Sequence, residues 1–252
     1  MKRILLSLLI VTLSVAGARA GVFDFLKKTA SDGTTSSSPS LAGFSQDQVA
    51  DALKQALGKG VQTAVTNLSQ PSGFLNNPKV KIPMPEKLQT VEKSLRAMKQ
   101  DKYADEFVAT MNHAAEAAVP EALPIFTDAL QAMSIDDAKK LVSGGNDSAT
   151  QFFKTKGEKQ IQEKMSPIVK QATAKAGVTG AYKKLMDQGG GAGSFLGKLN
   201  VDASSLDVDK YVTQKASDGL FKMIAEEEKR IRENPAARTT ELLQKVFGAV
   251  KK

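Results

Sequence analysis

From residue 45 onward apolar side chains return at three- and four-residue steps, the period of a helix that buries one side. Val49, Leu53, Leu57, Val61, Val65 and Leu68 form the first such seam, and Ser45-Gln46-Asp47-Gln48 ahead of it has the form of a capping box. Gly58 and Gly60 lie inside this segment, where each weakens a helix by about 1 kcal/mol and lets a neighbour come close. Pro71 ends it. Residues 71–85 hold four prolines in fifteen positions, which forbids a helix and predicts a loop. Pro85 suits the first turn of the next helix. Leu88, Val91, Leu95 and Met98 form that helix's seam, followed by the face Tyr103, Phe107, Met111, Ala115 and Ala118. Pro120 and Pro124 open a helix that buries Ile125, Ala129, Leu130 and Met133. Ser134-Ile135-Asp136-Asp137 starts a short one, with acids at its positive end, and Gly144-Gly145 closes it.

Asn146 or Asp147 caps a long basic helix carrying Phe152, Phe153, Ile161 and Met165, which Pro167 kinks or restarts. A short helix near 178–187 ends at Gly189-Gly190-Gly191-Ala192-Gly193. Asp207 caps a helix whose face is Val208, Tyr211, Val212, Gly219, Leu220, Met223, Ile224, Glu227 and Ile231, and Asn234-Pro235 begins a last helix with Leu242, Leu243, Val246, Phe247 and Val250. No segment alternates like a strand, and no repeat of 20 to 50 residues is present. The pattern predicts an all-α fold, a single irregular multi-helix bundle over residues 45–252.

The first 44 residues follow another logic. Met1-Lys2-Arg3 is positive, Ile4 to Gly17 is an uncharged, mostly apolar run of 14 residues, and Ala18-Arg19-Ala20 supplies small residues at a cleavage site. This is a secretory signal peptide, cut after Ala20, and it is short of the ~20 apolar residues of a spanning helix. Residues 21–44 form a flexible Ser/Thr/Gly-rich linker. Val22, Phe23, Phe25 and Leu26 at its start offer at most a weak membrane contact. No later run is long and apolar enough to span. The protein is therefore expected in the periplasm of a bacterium. Cleavage removes Lys2, Arg3 and Arg19 and no acid, so the formal charge falls by three from +8 to +5.

Composition narrows the chemistry. The chain has no cysteine, which excludes disulfides and thiolate chemistry, and a single histidine, His113, which excludes two-histidine zinc sites. His113 lies off the apolar stripe of its helix with no nucleophile elbow near it. Neither glycine cluster has the Lys-Ser/Thr of a phosphate loop. No cofactor and no metal site are expected. Glu116 and Glu121 flank the Pro120 corner, where two carboxylates could do glycosidase-type chemistry if their spacing allowed. Glu227 is the sharper anomaly. It falls on an apolar stripe between Ile224 and Ile231, while Glu226 and Glu228 have Arg230 and Arg232 four residues on. A buried carboxylate must be paired or protonated, and Arg238 is the candidate partner, in a structural ion pair that sets the angle of the last helix. Asn76, Asn77, Lys79 and Lys81 in the proline-rich loop either build turns or contact an anionic group.

Charge is segregated as well: residues 101–147 hold nine acids against three lysines, and residues 152–184 eight lysines against two acids. Such runs are commonly solvated helix faces, and the alternative is an anionic partner. Nucleic acid is not expected, since no recognition motif is present and the leader exports the chain.

Several stretches carry a resemblance: residues 74–83 (Phe-Leu-Asn-Asn-Pro-Lys-Val-Lys-Ile-Pro), 111–116 (Met-Asn-His-Ala-Ala-Glu), 120–126 (Pro-Glu-Ala-Leu-Pro-Ile-Phe), and the run from Tyr211 through Gly219-Leu220-Phe221 and Glu226-Glu227-Glu228 to Asn234-Pro235 and Thr240. Together they resemble the bacterial domain-of-unknown-function family numbered 4197, over about residues 48–250. The resemblance implies a secreted helical envelope protein and carries over no reaction, cofactor or catalytic residue. The expectation is a non-enzymatic periplasmic protein that binds an envelope partner or an apolar, lipid-like ligand, its Ala, Met and Phe stripes lining a cavity or forming plain core. The alternatives are an interaction scaffold without a small-molecule ligand, and a hydrolase using Glu116, Glu121 or Glu227.

Overall fold

The Ser45 cap begins the structure as its sequence suggests. In the computed structural model, which describes residues 45–175, 207–234 and 244, the Ser45 side chain accepts from the Gln48 amide and the Gln48 side chain accepts in return from the Ser45 amide. Helix α1 (Gln46–Ser69) follows, then a 3-10 turn (Glu86–Leu88) running into α2 (Gln89–Ala97). Helix α3 (Asp101–Ala118) leads through a second 3-10 turn (Val119–Ala122) into α4 (Leu123–Gln131). Helices α5 (Ile135–Ser143), α6 (Ser148–Lys175) and α7 (Val208–Glu233) complete the order. Among the described residues there is no strand, so the fold is all-α.

The periodic seams become one core. Leu53, Leu57, Val61, Val65 and Leu68 of α1 are buried, as are Phe107 and Met111 of α3 and Leu220 and Ile224 of α7. Helix α7 runs along both α6 and α1. At its centre the Phe126 ring meets Phe153 and Phe221 edge to face, with centroids 5.2 and 5.7 Å apart. That geometry suits aromatic quadrupoles, and it makes the phenylalanine stripes core.

Two expectations change. Met98, expected in the α2 seam, is half exposed because α2 stops one residue earlier. Lys99 turns left-handed there (φ 59°), and the Gln100 and Lys99 amides donate to the Leu95 and Arg96 carbonyls, a Schellman closure with lysine where glycine is usual. Pro167 does not restart α6, which continues through it as one helix. Pro167 and Glu163, whose carbonyl loses the helical donor, both face solvent, where water can replace the bond. Asn234 ends α7, donating its amide to the Arg230 carbonyl, and the helix expected to begin at Asn234-Pro235 falls on residues outside the described ones. The helix expected near 178–187, the last helix, Arg238 and the N-terminal Phe23 and Phe25 lie outside the described residues.

Candidate functional site

The proline-rich loop crosses the bundle as a strap, and its conformation follows from its residues. Gln70-Pro71-Ser72-Gly73 closes a turn in which the Gly73 amide donates to the Gln70 carbonyl at 2.9 Å and Ser72 takes φ 64°. Proline second and a positive φ third describe a type II turn. A Cβ on Gly73 would fall 2.4 Å from the Asn67 carbonyl oxygen, so only glycine fits there. Asn77 builds the next turn, its side-chain oxygen accepting from the Lys79 amide and its carbonyl from the Val80 and Lys81 amides. Phe74, Val80, Ile82 and Met84 point inward and are buried.

Two buried polar side chains of α3, one helical turn apart, hold the strap from below. The Glu116 carboxylate accepts from the Ser72, Phe74 and Leu75 amides at 3.0–3.2 Å. Nδ1 of His113, itself exposed, stands 2.8 Å from the Glu116 Oε2 atom. Asn112 accepts from the Ile82 amide and donates to the Ile82 and Val108 carbonyls, so its amide behaves like the edge of a neighbouring strand. The strap's proline-imposed extended backbone has no ladder partner, and these groups satisfy it instead. From α7, Tyr211 donates its hydroxyl to the Pro83 carbonyl, Lys222 donates to the Lys79 carbonyl, and Glu226 pairs with Lys79 at 2.7 Å. Gly219 makes room for the strap: a Cβ there would come within 2.8 Å of the buried Phe74 ring.

A second buried polar group closes the α5–α6 corner. Glu228 of α7 accepts from the Ala149 and Thr150 amides and the Thr150 hydroxyl, all at 2.9 Å, capping α6 at its positive end. Arg232 donates to Glu228 and, on its other side, to the Leu141 carbonyl at the end of α5 and to Ser148 Oγ. The Asp147 side chain accepts only from the Gln151 side chain among the bonds observed, so the cap of α6 comes from another helix.

The sequence-derived candidates fall as follows. Asn76, Asn77, Lys79 and Lys81 lie together on the strap, and Glu116 lies under it. Glu121 is exposed on the second 3-10 turn. Glu227 packs against Gly60 of α1 and pairs with Arg230 at 2.6 Å, so its partner is three residues on. The buried carboxylate of α7 is its neighbour Glu228. Sequence reasoning set Glu228 aside because it had a partner four residues away, yet that Glu–x–x–x–Arg pair stands on the buried stripe with Ser217, Phe221 and Ile224. Asn112 went unnoticed, although it precedes Glu116 by four residues on an otherwise apolar helix face. Ser217 Oγ is buried and meets no hydrogen-bond partner among the described residues.

Between the strap and α2 lies an open groove of about 610 Å3, with Met84 and Val108 in its floor, Pro83 and Lys81 on the strap side and Lys93 on the helix side. Arg96, also in its lining, is gripped by Glu92, Asp101 and Asp105, and these hydrogen bonds hold its pKa above the ordinary arginine value. Among the described residues no helix is long and apolar enough to cross a membrane, and no cluster of three or more His, Cys, Asp or Glu side chains could hold a metal ion.

Comparison with known proteins finds no match among curated proteins and none among solved structures. A family model described as "Protein of unknown function (DUF4197)" matches residues 43–248. The match spans α1 to α7, the strap and both buried carboxylates, and the chain belongs to this family.

Proposed function

We propose that the protein is an exported, non-enzymatic interaction module of the bacterial envelope that engages its partner through the strap. The observation that carries this reading is the use made of Glu116. A buried carboxylate, together with Asn112, fixes the backbone of a segment whose Asn76, Pro78, Lys79 and Lys81 are exposed. A segment ordered in advance loses little entropy on binding. The phenylalanine stripes pack on one another, which favours a protein partner over an apolar ligand. The hydrolase alternative finds no support in the carboxylates: Glu116 is taken up by the strap and His113, and Glu227 by Arg230. Export rests on the leader, whose pattern predicts a mature chain beginning at Gly21.

The test places a photoreactive amino acid at Asn76 in the exported protein, with a control at Lys164, exposed on α6. The expected result is a recurrent adduct of one mass from position 76, weakened by Glu116→Gln, and a mature mass that begins at Gly21. Identical adduct patterns at 76 and 164 reject the strap as the contact surface, and an intact leader in the soluble protein rejects export.

A further inference from the structure

We draw no further inference here: the strongest candidate, the open groove between the strap and α2 with Met84 and Val108 in its floor, carries nothing because nothing in the structure shows what covers it, the charge of Arg96 in its lining being shared by Glu92, Asp101 and Asp105.

Discussion

A single carboxylate decides how the strap lies. Glu116 accepts three strap amides, and removing it leaves those donors beside an apolar space, at about 1–3 kcal/mol for each one left unpaired. Glu116→Ala is expected to lower stability by about 3 kcal/mol or more in urea denaturation, while Glu121→Ala, on the surface, stays within about 0.5 kcal/mol. Glu116→Gln falls between, since its one oxygen keeps Phe74 and Leu75 and its amide group faces the Ser72 donor. The Glu228–Arg232 pair follows the rule for buried ions. Either single alanine substitution costs about 3–5 kcal/mol, because it strands the other charge, and the double variant costs less than the sum. A thermal denaturation cycle with additive losses contradicts the pairing. Burial, and secondarily the charge of Glu86, pushes the Tyr211 hydroxyl above its ordinary value. A group whose folded pKa is raised contributes stability that is complete below its unfolded pKa of about 10 and is lost as pH rises through the folded value. Stability is thus expected to fall on the alkaline side, and Tyr211→Phe removes that part of the fall. Tyrosinate absorbance of the two proteins checks it.

At the scale of elements, glycine has opposite meanings in two helices. A Cβ on Gly58 would meet Leu130 at 3.5 Å, and one on Gly60 would meet Glu227 and Ile231 at 3.5 Å, all ordinary contacts. Gly58→Ala and Gly60→Ala are therefore expected to stabilise α1 by about 0.5–1 kcal/mol each. Gly219→Ala drives a methyl into the buried Phe74 ring and is expected to destabilise, with the strap displaced from α7. Melting temperatures of the three variants give the signs directly. The helix starts at Ser45 and Asp207 were legible because their caps are local, each side chain reaching an amide three residues on. The cap of α6 was not, because Glu228 reaches Ala149 across 79 positions. Nor was the exposure of Met98, which depends on where α2 stops.

At the scale of the molecule, the strap, α3 and α7 contribute side chains to one core among the described residues. Unfolding of a Tyr182→Phe variant, monitored by far-UV circular dichroism and by tyrosine signals that then sample Tyr211 beside the strap and Tyr103 on α3, is expected to give coincident transitions. Separate transitions would show that the strap melts independently. The charge segregation along the chain is partly dissolved by folding. Asp101 and Asp105 of the acidic stretch pair with Arg96 outside it, and Lys154 and Lys156 of the basic stretch lie over the rings of Phe221 and Phe152.

The sequence alone determined the helical class, most helix limits, the apolar seams and the loop at 71–85, because apolar period, capping side chains and proline geometry act over a few residues. It also marked Glu116 and the strap residues as worth attention, without joining them. Only the tertiary structure decided that Glu116 serves the strap, that Glu228 rather than Glu227 is the buried acid of α7, and that Lys81 and Lys93 face one groove. Hydrogen bonds and burial of that kind are made between segments distant in the chain. A one-residue step on a helix turns a side chain by about 100°, so a carboxylate on a stripe and its neighbour beneath it cannot be told apart until the partner helices are in place.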